Sequence, residues 1–254
     1  MDIKEQCRIE GRLALITGAS GGIGSACARQ FAEEGVNLAL TCSSHPEKLE
    51  TLVSELKKVS KKDLRISTHK ADLASVEEIQ RLLEEVKEEH AQSVDILISN
   101  AGYGKRIRDI SDIPLEEFEY TINVNLCAPF LLVKGVVDEM KAQKWGRIIF
   151  ISSIAAYGAG INGCHYAASK GGITSMMKNL SSRLASYNIS VNDVAPAMIG
   201  NTGLIPDAEQ VPEALEGIPL GRLGTPEEVA NVVSMFARTG YVTGQSLVAG
   251  GGLR

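Results

Sequence analysis

Short, almost unbroken apolar runs alternate along this chain with longer stretches in which apolar positions return every three or four residues. The runs at 13–16, 36–41, 64–69, 94–98 and 147–151 have the length and composition of strands, and a sixth begins at Ile189-Ser190-Val191. Residues 23–34, 46–59 and 75–90 carry helical periodicity. Ser75 with Glu78, and Thr225 with Glu228, each spell a capping box, the second with Pro226 at the first helical position. Leu247-Val248 closes the pattern. Apolar strands separated by helices predict a parallel sheet covered on both faces. Right-handed crossovers make a doubly wound α/β sheet the simplest arrangement. No linker or composition break divides the chain, which predicts one domain over residues 1–254.

Composition narrows the function classes. The 254 residues are 44% hydrophobic and 22% charged, the balance of a globular protein rather than a disordered or collagen-like one. Lys and Arg total 26 against 31 Asp and Glu, a net charge of −5, and aromatic residues are 5%. Neither a phosphate backbone nor a base-stacking surface is served by that balance, so nucleic acid is not an expected partner. Cys7, Cys27, Cys42, Cys127 and Cys164 are dispersed without CxxC spacing, which predicts reduced thiols and no metal site. The first residues lack a signal core, and apolar runs such as 148–151 are too short to span a bilayer. The sequon at Asn188-Ile189-Ser190 is read as chance, and the expected location is cytoplasmic, with no membrane partner.

Directly after the first strand comes Thr17-Gly18-Ala19-Ser20-Gly21-Gly22-Ile23-Gly24. Glycines there permit a tight turn and let backbone N–H groups approach a pyrophosphate, with the next helix aiming its positive end at the same anion. Turns everywhere use glycine, but this one joins a predicted strand to a predicted helix, which predicts a dinucleotide site. At the end of the second strand an acidic residue would hold ribose hydroxyls and repel a 2′-phosphate. The chain reads Thr41-Cys42-Ser43-Ser44-His45 there, with Lys48 a helical turn further. Ser43 and Ser44 can donate to a phosphate, so NADP(H) is favoured over NAD.

Thirteen residues past Ser153 stands Tyr166, with Lys170 four further on and therefore on the same helix face. A free phenol titrates near pH ~10. A neighbouring ammonium favours the phenolate, so Lys170 is expected to lower the Tyr166 pKa. Ser153 is placed to hold a substrate oxygen. Phe118, Ile122, Leu126, Phe130, Val133 and Val137 form an apolar helical stripe beside Asn125, a polar residue that needs partners if buried. Asn125 is read either as a satisfied core amide or as a group that kinks the helix or holds water.

In these residues the chain resembles the short-chain dehydrogenase/reductase family over about residues 11–252. The likeness rests on the Thr17-Gly18-(x)3-Gly22-Ile23-Gly24 turn, Asp72-Leu73, Asn100-Ala101-Gly102, Asn125, Ser153 and Tyr166-(x)3-Lys170. It implies a Rossmann-type fold and an oxidoreductase acting on C=O or CH–OH groups. It also implies that Tyr166 is the general acid/base and that Lys170 tunes it while binding the nicotinamide ribose. Ser153 would orient the carbonyl, and Asn125 would keep a water linking Lys170 to solvent. The implied cofactor contacts are Gly18, Ser20, Gly22, Ile23, Gly24, Ser43, Ser44, Asp72 (adenine), Leu73, Asn100, Ala101, Gly102, Tyr166, Lys170, Pro196 and Ile199. The stretches 218–228 and 241–245 resemble the 3-oxoacyl-[acyl-carrier-protein] reductase type. Departures are Pro196-Ala197 for a usual Pro-Gly, a shifted threonine at Asn201-Thr202, and Ala249-Gly250-Gly251 for a usual Asp-Gly-Gly.

Residues 197–218 are expected to form a substrate lid, with Met198, Ile199, Leu204 and Ile205 apolar, and Ala155, Ala156, Tyr157 and Ile161 on the opposite wall. An apolar carbonyl compound suits that lining. Arg106 and Arg108 are candidates for meeting an anionic carrier, and His165 is given no catalytic role. Small residues around Tyr166 (Ala167, Ala168, Gly171, Gly172) and the stripe beside Asn125 predict buried helix surface, consistent with self-association. The resemblance implies a homotetramer. The leading reading is an NADPH-dependent carbonyl reductase; an NAD-linked alcohol dehydrogenase and a low-activity nucleotide sensor are the alternatives.

Overall fold

The computed structural model describes residues 6–60, 63–158, 161–203 and 215–253. Seven parallel strands alternate with helices in the order β1 (Leu13–Ile16), α1 (Gly22–Glu33), β2 (Asn37–Cys42), α2 (Pro46–Val59), β3 (Ile66–Lys70), α3 (Val76–His90), β4 (Ile96–Ser99), α4 (Leu115–Ile122), α5 (Ala128–Gln143), β5 (Gly146–Ile151), α6 (Cys164–Leu184), β6 (Ile189–Pro196), α7 (Pro226–Arg238) and β7 (Ser246–Ala249). The strand order is β3-β2-β1-β4-β5-β6-β7, so the chain reverses its direction of winding between β1 and β4. This is the doubly wound sheet the pattern predicts, with strand ends shifted by one or two residues. One apolar layer joins the sheet to α1, α2 and α7, the other to α3, α5 and α6.

Helix ends follow local chemistry. Thr225 and Glu228 form the complete box, each side chain bonded to the other's backbone N–H. The predicted box at Ser75 is half made: Ser75 Oγ accepts from the Glu78 N–H at 3.2 Å, but the Glu78 carboxylate turns to the Asp72 N–H. Between α4 and α5 the helix continues through a π turn, Asn123–Cys127. The extra residue in that turn rotates the faces on either side of it.

Two expectations change here. The predicted stripe was expected to bury one helix face, yet Phe118 and Phe130 are 39% and 52% exposed, and only Val133 is fully buried. Thr121, Val124, Asn125, Ala128, Leu132, Val136 and Met140 face the core instead. The run Leu115–Gln143, 29 residues, is also long and apolar enough to cross a bilayer, contrary to the expectation that no run reaches that length. Ala128, Leu132, Val133, Val136 and Met140 of this run join the core layer under the sheet, as in the central helix of a globular protein.

Candidate active site

A cleft of 990 Å³ opens at the carboxyl ends of the strands, around the point where winding reverses between β1 and β4. Open α/β sheets place ligands there, and the volume is at the upper end of small-molecule sites, ~300–1,000 Å³.

Gly18, Ser20, Gly21, Gly22 and Ile23 line its floor. Gly18 has φ +65°, and a Cβ added to it would lie 3.0 Å from Ala101 Cα, so the turn needs glycine twice over. Gly24 stands behind the lining, where an added Cβ would lie 2.4 Å from the Gly18 carbonyl oxygen. Asn100 pins this turn. Its Nδ2 donates to the carbonyls of Thr17 and Gly18 at 2.8 and 3.2 Å, and Thr17 Oγ1 accepts from the backbone N–H groups of Asn100 and Ala101, both at 3.0 Å. Helix α1 has Gly21 as its N-cap, with no side-chain cap and no acid in its first turn. Its first N–H groups are therefore suited to an external anion. This cradle, the fold and the cleft volume fit a dinucleotide.

At one end Thr41, Cys42, Ser43, Asp72 and Leu73 form the wall, while Ser44, expected to reach a phosphate, does not line the cleft. The strand ends at Cys42, and the chain then turns into α2. The basic side chains among the described lining residues are Arg106 and Lys170; Lys48 and Arg108 are not among them.

At the other end Tyr166 and Lys170 come from successive turns of α6, both buried, at 8% and 3% exposure. Lys170 Nζ donates to the Ile151 carbonyl at 3.0 Å and lies 5.7 Å from the centre of the Tyr166 ring. Ser153 lines the cleft with Tyr166, and its Oγ accepts from the Ala155 N–H at 3.1 Å. Burial raises the Tyr166 pKa, and the neighbouring Ser153 hydroxyl opposes that rise. The expected lowering by Lys170 is thus corrected: loss of water disfavours the phenolate, and Ser153 rather than Lys170 is the group that opposes the rise. Burial likewise pushes Lys170 down to about 8, with Asp193 acting against the shift.

Asn125 lies in the π turn, fully buried and behind the cleft wall rather than on it. Its Nδ2 donates to the Tyr103 carbonyl at 2.8 Å and to Ser169 Oγ at 3.1 Å, and its Oδ1 accepts from the Tyr103 N–H at 2.7 Å. It therefore ties the loop after β4 to α6. Lys170 Nζ and Asn125 Oδ1 would lie 3.3 and 3.5 Å from a Cβ on Gly102, so both flank that glycine.

Ala101, Gly102, Ala155, Ile161, Pro196, Met198 and Ile199 line the cleft as expected, whereas Ala156 and Tyr157 do not. Leu204 and Ile205 lie outside the described residues. His165 is buried with Nε2 3.1 Å from the Lys105 carbonyl oxygen, away from the cleft. Sequence reasoning missed Tyr103, Tyr120 and Asn162 in the lining. Tyr103 follows the Asn-Ala-Gly turn directly, and it meets Tyr120 edge to face with ring centres 4.9 Å apart.

A family model described as short chain dehydrogenase matches residues 12–211. The chain is 36% identical over 249 residues to 3-oxoacyl-[acyl-carrier-protein] reductase FabG of Rickettsia bellii, covering 96% of this chain and 98% of the relative. Among solved structures, a short-chain type dehydrogenase/reductase from Mycobacterium marinum superposes with a TM-score of 0.88 at 29% identity, over 99% of this chain and 98% of that one. NAD+-bound xylitol dehydrogenase does so with a TM-score of 0.86 at 27% identity, over 96% of this chain and all (100%) of that one. Fold, cleft and these likenesses together make the chain a member of the short-chain dehydrogenase family of oxidoreductases, similar to 3-oxoacyl-[acyl-carrier-protein] reductases.

Proposed function

We propose that the protein reduces a ketone, a 3-oxoacyl thioester or a related apolar carbonyl, to a secondary alcohol with NADPH. The observation that carries this reading is the buried Tyr166 phenol, which lines the cleft with Ser153 and has the Lys170 ammonium 5.7 Å from its ring centre. With its pKa raised by burial the phenol is in the acid form at neutral pH, the form that carbonyl reduction consumes. When bound, the dinucleotide supplies the hydride. Gly18, Ser20, Gly22 and Ile23 would hold its pyrophosphate, with Gly24 and Asn100 shaping the turn. Ser43 would meet the 2′-phosphate, Asp72 and Leu73 the adenine, and Ala101, Gly102, Pro196 and Ile199 the nicotinamide end.

Ser153 donates to the substrate oxygen and orients it, and Tyr166 passes its phenolic proton to the oxygen as negative charge develops there. Lys170 binds the nicotinamide ribose and favours the phenolate left after proton transfer. Asn125 holds the loop at Tyr103 against α6 and so sets the wall beside Lys170. Met198, Ile199, Thr202 and Gly203 line the cleft at the start of the proposed lid over 197–218. We also assign a cytoplasmic location and a homo-oligomer, dimer or tetramer, assembled through the exposed apolar faces of α5 and α6.

The test is cofactor consumption across acetoacetyl thioesters, aromatic ketones, diketones and sugars, with both nicotinamide cofactors. NADPH should give the higher kcat/KM; a clear preference for NADH would refute the reading of Ser43 while leaving the rest standing. On the best substrate Tyr166→Phe should lower kcat by about 10²–10⁴-fold, the range of general acid catalysis, with NADPH affinity nearly unchanged. Wild-type kcat in that variant would overturn the mechanism.

A further inference from the structure

In β6 a carboxylate stands among apolar neighbours: Asp193 is fully buried. Strand alternation places its side chain on the face of Ile189 and Val191, which share a core layer with Ile173 and Met177 of α6. Val194 turns to the other layer, with α7. Asp193 therefore lies in the same layer as the helix that carries Tyr166 and Lys170. In register it sits opposite Phe150 of β5 and Ser246 of β7.

Hydroxyl groups fix its direction. Ser152 donates to Asp193 Oδ1 at 2.7 Å, Ser246 donates to the same oxygen, and Tyr157 donates in turn to Ser246. Oδ2 is buried and makes no hydrogen bond among the described residues. Ile151, whose carbonyl accepts from Lys170 Nζ, immediately precedes Ser152. Carboxylate and ammonium are thus tied to adjacent residues at one end of β5. A buried charge is costly unless another group compensates it, and Lys170, with one carbonyl acceptor among the described residues, is poorly compensated. Asp193 is the group that opposes the loss of the Lys170 proton. Tyr166 of α6 and Tyr157 of the turn after β5 are the other titratable groups on this side, while Arg147 of β5 is on the opposite face and Cys164 of α6 is exposed. His165 is turned to Lys105, and Lys178 and Arg183 of α6 are exposed.

We propose that Asp193 is a positioning residue for the reduction: it is the buried counter-charge that keeps Lys170 an ammonium ion, aimed by Ser152 and Ser246. The role in catalysis rests on the proposed reading of Tyr166 and Lys170; the charge pairing does not. The test follows the Lys170 signal by NMR in the full-length protein with isotope-labelled lysine, assigned by its absence in Lys170→Arg. In Asp193→Asn, which keeps an oxygen acceptor for both serines, Lys170 should titrate about one pH unit or more lower, the usual effect of a nearby opposite charge. The alkaline limb of kcat should move down by the same interval. Ser246→Ala, which keeps the charge but loosens it, should shift Lys170 the same way by less, and serves if the Asn variant does not fold. Unchanged Lys170 titration would overturn the proposal, as would an equal fractional loss of kcat at every pH. Absence of any turnover in the wild-type protein would sink the reductase reading alone, because the titration still decides the pairing.

Discussion

Tyr166 and Lys170 are four residues apart in sequence, but their ionisation is set by burial rather than by that spacing. Water is removed from both, so the phenol holds its proton more tightly and the ammonium less tightly than in solution. The sign of the pH dependence follows. Below about 8 the Lys170 cation is present, and above it the cation is lost, while the phenol stays protonated to higher pH. Reductive kcat/KM should therefore be level through neutrality and fall as pH rises past about 8. A profile that climbs into the alkaline range would show that the phenolate is the working form. The residue types of this site were legible because Ser153, Tyr166 and Lys170 stand at fixed local intervals. Asp193 was not picked out, although an aspartate inside an otherwise apolar strand is a signal in itself; its meaning needs β5, β7 and α6 around it.

At the scale of elements, the strands and most helices could be read from apolar period and capping residues, which are local properties. The helix pair α4 and α5 could not, because it is apolar on two sides and contains a π turn. Periodicity found the stripe through Phe118 and Phe130 but not which side meets the sheet. The outer side borders a groove lined by Phe130, Val137, Met176, Leu180 and Tyr187, contributed by α5, α6 and the turn after α6. Apolar surface of this kind suits the proposed homo-oligomer. In Phe130→Asp the proposed homo-oligomer should give way to a smaller species in size-exclusion chromatography with light scattering. Because Phe130 is 52% exposed, the circular dichroism spectrum should stay as in wild type. An unchanged assembly state in the variant would refute this face as the interface.

For the whole molecule, the order of elements was enough to predict a doubly wound sheet, since parallel pairing and right-handed crossovers leave few alternatives. The glycine turn between β1 and α1 could be placed for the same reason: its backbone demands are met within a few residues. What the chain's own pattern determined is therefore what local chemistry dictates, namely element types, the turn and the candidate set of side chains. Only the tertiary structure decided that Ser44 misses the cleft, that Asn125 stands behind its wall clamping Tyr103, and that the Tyr166 phenol is raised rather than lowered. Each of those outcomes depends on which distant groups exclude water from a given atom, and no interval along the chain specifies that.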